Sequence, residues 1–239
     1  MIDFGIEKIE PLCSEFGVDL NEDKKEKLNL YGNLLLEWNE KINLTAITEP
    51  EEVLYKHFYD CLLFLKHFSP KENASLADVG TGAGFPAMVL KIARPDLDVT
   101  LIDSLNKRLI FLNEVIKELG LQNIKTVHIR AEEAGKSKLY REKFDVVTAR
   151  AVANLPVLCE YCAPLVKVQG SFVAMKGPSA EEEAEKCGNA EKVLGLSNSQ
   201  IICETLPENS KRAFVIYKKI SQSAPKYPRK PSDISKQPL

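Results

Sequence analysis

The sequence predicts an α/β protein: a seven-stranded, mostly parallel sheet with an antiparallel last strand, preceded by a small helical segment. Three observations predict it. Short apolar runs alternate with amphipathic helical patterns from residue 75 onward, the signature of a parallel sheet built by right-handed crossovers. A turn containing Gly80, Gly82 and Gly84 follows the first run and leads into a helix. The final two runs are separated only by Pro207-Glu208-Asn209-Ser210, a hairpin length, so one of them runs antiparallel.

Residues 1–70 read as a helical N-terminal segment. Leu28, Tyr31, Leu34, Leu35 and Trp38 recur at helical spacing and predict a helix over residues 21–41; Pro11 predicts a break or kink in the helix before it. Thr48-Glu49-Pro50-Glu51 has the form of a capping box, opening a helix that carries Val53, Leu54, His57, Phe58 and Leu62. His57 and Asp60, three residues apart, share a face of it. The polar turn Ser69-Pro70-Lys71-Glu72-Asn73 then marks a boundary. Residues 71–220 form the α/β domain, and residues 221–239 a basic C-terminal tail.

Strands are expected at residues 75–79, 98–103, 124–129, 144–149, 171–176, 200–206 and 212–219. Helices are expected near residues 85–93, 105–119, 136–140 and 155–166, while Glu181 to Glu185 reads as a solvated acidic helix face.

The composition, 44% hydrophobic and 28% charged, is that of a soluble globular protein. With no membrane-length apolar run and no secretory start at Met1-Ile2-Asp3-Phe4, a cytoplasmic location is expected. Six scattered cysteines then read as reduced thiols. Cys159 and Cys162 form a C-x-x-C pair, but no second pair stands at zinc spacing, so no metal site is expected.

In such sheets ligands bind beyond the carboxyl ends of the strands, beside the first. The turn Asp78-Val79-Gly80-Thr81-Gly82-Ala83-Gly84-Phe85-Pro86 has G-x-G-x-G spacing, not the G-x-G-x-x-G of dinucleotide-binding turns. With its acidic residue two positions before the first glycine, it looks like the S-adenosylmethionine loop of class I, Rossmann-like methyltransferases; an ordinary strand-to-helix turn is the competing reading. Asp103 closes the second strand, where a carboxylate can accept hydrogen bonds from ribose hydroxyls or simply cap the next helix. At Arg130-Ala131-Glu132-Glu133, main-chain groups could hold an adenine edge, or the segment could be a solvated turn.

The end of the fourth strand, Thr148-Ala149-Arg150-Ala151, carries neither an Asn/Asp-Pro-Pro-aromatic motif for an exocyclic amine nor a cysteine to attack a pyrimidine ring. A base nitrogen such as guanine N7 needs neither, since it already offers a lone pair, and transfer then depends on proximity and orientation. Arg150 is the residue assigned to catalysis, by positioning the substrate or contacting the cofactor, with no general base required; a surface ion pair is its alternative.

Together, Trp38-Asn39-Glu40-Lys41-Ile42-Asn43-Leu44-Thr45-Ala46-Ile47, His57-Phe58-Tyr59-Asp60, the glycine turn, Thr148-Ala149-Arg150-Ala151 and Met175-Lys176-Gly177 closely resemble the RsmG (GidB) family, over about residues 21–219. That family methylates guanine N7 in the decoding-site loop of bacterial 16S ribosomal RNA with S-adenosylmethionine. The resemblance implies that Gly80 and Phe85 line the methionine end of the cofactor, that Ala131 and Glu132 meet the adenosine, and that Arg150 is a further cofactor-site position. His57, Asp60 and Lys176 match recurrent positions; a packed His-Asp pair and an RNA contact both remain open for the first two. Ala87 stands where the family usually has glycine, and Cys61 where it has serine. The tail lacks the family's glycine after its Arg-Lys-containing stretch.

A net charge of −2 is unusual for an RNA binder, but from Lys211 onward eight basic residues face one acidic, Asp233. Lys176, Lys211, Arg212, Arg229 and Lys230 are the RNA-binding candidates, with Tyr217 and Tyr227 available for base stacking. On this reading the tail serves RNA and leaves cofactor affinity untouched. The expected partner is 16S ribosomal RNA or the small ribosomal subunit, bound by a monomer. Two other readings stand beside it: a class I methyltransferase acting on a small molecule or protein, and a non-catalytic S-adenosylmethionine- or RNA-binding module.

Overall fold

The structure, a computed structural model, describes residues 1–239. A 3-10 turn (Ile6–Lys8) leads into α1 (Glu10–Ser14) and α2 (Glu22–Ile42). Next come α3 (Pro50–Val53), a π-helical stretch (Leu54–Tyr59) and α4 (Asp60–His67), run together without a break. The α/β part follows as β1 (Ser75–Val79), α5 (Ala87–Ala93), β2 (Asp98–Asp103), α6 (Asn106–Glu118), β3 (Ile124–His128), α7 (Ala131–Ala134), β4 (Phe144–Arg150) and α8 (Leu155–Cys162). It is completed by β5 (Val166–Lys176), α9 (Ala180–Glu185), α10 (Gly188–Leu194), β6 (Gln200–Thr205), β7 (Lys211–Lys218) and α11 (Pro231–Lys236).

The sheet order is β3-β2-β1-β4-β5-β7-β6. β1 to β5 pair in parallel, and β7 is antiparallel to both of its neighbours, β5 and β6. The order reverses at β1, so the crevice opens between the carboxyl ends of β1 and β4. Side chains alternate between faces with the period of two that a strand imposes. Leu76, Val146, Val173 and Met175 join a core shared with α2, α4, α5 and α6; Ala77, Val79, Val147, Phe172 and Ala174 join a second core under α8 and α10. The N-terminal helices are thus packed into the first core. Tyr31, fully buried on α2, donates its hydroxyl to the carbonyl of Ala83 in the glycine turn.

Four local expectations are corrected. Pro11 occupies the first turn of α1, where its missing N–H costs nothing, so it starts a helix and does not break one. At Thr48 no capping box forms: Glu49 is the cap residue of α3 and contributes no side-chain bond. The third crossover helix lies at Ala131–Ala134, and residues 136–140 form turns. The hydrophilic face at α9 is not wholly solvated, because Glu183 Oε2 accepts from the Leu155 N–H at 2.6 Å and pairs with Lys176 at 2.8 Å.

Candidate functional site

The glycine turn is shaped by three left-handed residues, Gly80 (φ 67°), Gly82 (φ 59°) and Gly84 (φ 102°). A Cβ on Gly80 would lie 2.7 Å from Val152 Cγ2, and one on Gly84 would lie 2.8 Å from both Leu112 and the Tyr31 hydroxyl. At both positions the missing side chain allows close packing, of Val152 against Gly80 and of Leu112 and Tyr31 against Gly84. The Gly80 and Thr81 N–H groups bond Ile102 O, and Gly82 N–H donates to Asp103 Oδ2 at 2.9 Å. Ala87 opens α5 without a positive φ, so alanine in place of glycine brings no strain there.

Asp78 lies beneath the turn with no exposed surface. Its Oδ2 accepts from Thr81 Oγ1 at 2.8 Å and from the Ala87 N–H at 3.3 Å, while its Oδ1 is buried without a partner. Burial pushes the carboxyl up to about 7, against the two hydrogen bonds that favour its charged form.

Beyond the turn lies a cavity of about 300 Å³, running from Val79, Gly80, Ala151 and Val152 past Asp103, Ser104 and Arg108 to Ile129, Arg130, Ala131, Glu132, Tyr161 and Pro231. A second, of about 310 Å³, is lined by Ile47, Lys56, His57, Asp60, Arg150, Ala151, Met175, Lys176, Gly177 and Arg212. Ala151 borders both, in a left-handed conformation (φ 56°).

Arg150 organises the second cavity. Its Nη1 donates to Asp60 Oδ2 at 2.9 Å and to Lys56 O at 3.1 Å. Its Nη2 lies 3.0 Å from His57 Nδ1, and its guanidinium stands 4.9 Å from the centre of the Phe85 ring. A guanidinium only donates, so His57 Nδ1 accepts from Arg150 although Lys56 O also lies 3.2 Å from it; the proton then sits on Nε2, facing Thr45 Oγ1 at 2.9 Å. Burial and the Arg150 charge push the imidazole down to about 3, so the ring is neutral. It stacks on Phe85 with centroids 4.3 Å apart. Arg212 Nε comes within 3.2 Å of Asp60 Oδ1 as an ion pair whose angle does not make a hydrogen bond. Lys176 donates to Ala153 O at 2.9 Å and pairs with Glu183, fixing the loop after β4. Lys56, Arg150, Lys176 and Arg212 face this cavity with Asp60, and Glu52 and Glu183 pair with the two lysines, which leaves the pocket a small positive excess in a chain of slight negative charge.

The structure thus divides the candidates. Gly80, Asp103, Ala131 and Glu132 line the first cavity; Arg150, Lys176 and Arg212 line the second. Gly82 and Gly84 build the turn without lining either, and the Phe85 ring is buried in an aromatic stack with His57 and Tyr31. Lys211 borders an adjoining depression with Glu181 and Glu204, and Lys230 is exposed. Arg229 instead binds the fully buried Glu160 through its backbone N–H, Nε and Nη2.

The expected stacking tyrosines are corrected: Tyr217 has no exposed surface and Tyr227 is 5% exposed, because both fill the second core. Lys219 is also fully buried, donating to Ala163 O, Leu194 O and the Ser223 hydroxyl. Sequence reasoning missed Thr45, Arg108, Tyr161, Glu183 and Pro231. For Glu183 and Pro231 no local signal existed, since their roles depend on the tertiary path of the chain.

The first cavity fits the cofactor expected of such a turn. Gly80 and Val152 line its end at the glycine turn, Asp103 lines it at the end of β2, and Asp78, with Oδ1 buried and unpartnered, lies beneath that turn. A family model described as GidB, rRNA small subunit methyltransferase G, matches residues 24–213. The ribosomal RNA small subunit methyltransferase G of Clostridium perfringens (strain 13 / Type A) is 49% identical over 232 residues, covering 95% of each chain. Its counterpart in Desulforamulus reducens is 50% identical over 228 residues with the same coverage. In fold, the chain is similar to a SAM dependent methyltransferase from Aquifex aeolicus, with a TM-score of 0.51 and 20% identity, over 70% of this chain and 93% of that one.

Proposed function

The chain belongs to the rRNA small subunit methyltransferase G (GidB) family, and from that premise we propose that it methylates N7 of a guanosine in the decoding-site loop of 16S ribosomal RNA. It is an S-adenosylmethionine-dependent rRNA methyltransferase. The observation that carries the finer reading is Ala151, the shared wall between a cavity suited to the cofactor and a cationic cavity suited to a nucleotide.

The bound cofactor supplies an electrophilic methyl group on a sulfonium. The protein's work is to hold and align. Gly80 and Val152 shape the methionine end of the first cavity, Asp103 meets the ribose, and Ala131 and Glu132 the adenine. In the second cavity Arg150 and Arg212 are held by Asp60, with guanidinium edges available to a guanine O6 or a flanking phosphate. Arg150 cannot bond N7 during transfer, because that lone pair takes the methyl; O6 is the remaining acceptor on the same edge. Asp60 offsets cationic repulsion as N7 acquires positive charge. Neutral His57 holds Arg150 without contributing another charge. No general base is needed, since N7 bears no proton.

In this reading the enzyme acts as a cytoplasmic monomer; no helix is long and apolar enough to cross a membrane. The test is nucleoside mass spectrometry after incubating the protein with methyl-labelled S-adenosylmethionine and small-subunit RNA or particles from cells lacking the modification. Labelled 7-methylguanosine is expected. Label at another base or atom would refute the N7 assignment.

A further inference from the structure

We propose that the C-terminal segment, residues 227–236, is part of the cofactor site, with Pro231 forming the outer wall at the adenosine end of the cavity. The proposal rests on the reading of the first cavity as the cofactor's, and it assigns this segment a role beyond RNA contact.

Pro231 lines that cavity alongside Ile129, Ala131, Glu132 and Tyr161, although it lies a hundred residues beyond Ala131 in sequence. Three separate anchors bring it there. Arg141 donates to the carbonyls of Ser223 and Tyr227, both at 2.7 Å, and to that of Ala224 at 3.2 Å. Pro228 then sits so close to Gly135 that a Cβ on the glycine would lie 2.6 Å from its Cγ. Arg229 closes the clamp on Glu160: its backbone N–H and Nε bond Oε1 at 2.7 and 2.9 Å, and Nη2 bonds Oε2 at 2.7 Å. Beyond the clamp, α11 buries Ile234.

A fully buried carboxylate is costly unless paired, and such a pair fixes geometry more than it adds net stability. Here it fixes the chain two residues before Pro231. Tyr161, next to Glu160 on α8, lines the cavity as well, so one helix carries both the anchor and part of the wall. The proline ring is rigid and apolar, and it lines the same cavity as the apolar side chains of Ile129 and Ala131. Covering an adenine face there removes apolar surface from water without ordering a flexible side chain. The adenosine end is therefore assembled from two distant stretches: the turn after β3, and a tail strapped over it.

The test is calorimetric titration of the full chain, a chain truncated after Lys230 and Pro231→Gly, each with S-adenosylhomocysteine and with adenosine. The truncation keeps the Arg229 clamp. Losing the wall is expected to weaken both ligands by the same factor, about tenfold for the truncation and about threefold for Pro231→Gly, as the apolar area involved implies. Equal affinities in all three proteins would overturn the proposal, as would a loss confined to S-adenosylhomocysteine, which would move the effect to the methionine end. Failure of the full chain to bind either ligand would remove the cofactor reading itself. If the truncation unfolds, Pro231→Gly, which retains every anchor, decides the matter.

Discussion

His57 Nδ1 accepts a hydrogen bond from Arg150 Nη2 at 3.0 Å, so a neutral imidazole on the π-helical stretch holds the cation that ends β4. π-Turns are frequent at functional sites. His57→Ala is expected to lower turnover about 100-fold, the penalty for misplacing a positioned group, with little change in cofactor affinity. Arg150→Ala should behave alike. Calorimetry and single-turnover kinetics separate the two effects; a matching loss of cofactor affinity would instead place Arg150 at the cofactor, as the family resemblance implies.

Acid should destabilise the protein through the same histidine. Its folded-state pKa, about 3, lies below the ordinary value of 6.5, so the unfolded chain binds the proton more readily. The stabilisation is present above about pH 6.5 and is lost progressively as pH falls towards about 3. Thermal unfolding followed across this range should show a smaller pH slope in His57→Gln than in the wild type.

Asp78 has the opposite sign. Its folded pKa, about 7, lies above the ordinary value of 3.8, so its contribution is fully present below about pH 3.8 and lost as pH rises through about 7. Asp78→Asn should therefore raise the unfolding temperature of the ligand-free protein by several degrees at about pH 8, with no gain near pH 4. If Oδ1 accepts from the cofactor's ammonium, the same substitution should weaken cofactor binding at least about tenfold, as for a lost charge-assisted hydrogen bond.

Gly80→Ala introduces both a left-handed alanine and a clash with Val152. Cofactor affinity is expected to drop at least about tenfold, from roughly 1–2 kcal/mol of backbone strain plus the contact. Adding Val152→Ala should recover part of the loss by relieving the clash, but not the part due to φ. Full recovery would show that the backbone conformation does not matter.

Lys211, Lys218, Lys226, Lys230 and Lys236 are exposed, unlike Lys219. Replacing the five exposed lysines by alanine should flatten the dependence of RNA affinity on salt, by up to about 0.7 in the logarithmic slope for each lost phosphate contact. Arg229→Ala should mainly lower the unfolding temperature, because it leaves Glu160 buried and unpaired. A salt titration beside a thermal melt distinguishes the two classes.

The sheet was legible because its strands carry apolar runs that a helix pattern does not mimic, and β1 and β2 have the limits their residues predict. The turn was legible from Gly80, Gly82 and Gly84, whose left-handed backbones only glycine adopts readily. The short α7 escaped notice because four residues hold barely one turn of periodicity. Tyr217 and Tyr227 misled because a tyrosine among lysines reads as exposed until the path of the chain shows which way it faces. Charge patterning could not distinguish Arg229, paired with a residue 69 positions away, from Lys230, which is free in solvent.

The place of β7 between β5 and β6 bears on how the protein is made. Emerging from synthesis, β6 precedes the strand it pairs with, and β5 keeps a bare edge of unpaired N–H and C=O groups until β7 arrives from beyond two helices and another strand. Such long-range closure is slow, and open edges invite pairing with other chains. The nascent protein therefore spends its most aggregation-prone interval awaiting residues 211–218, and a stalled or truncated chain ending before them would be a natural client for chaperones.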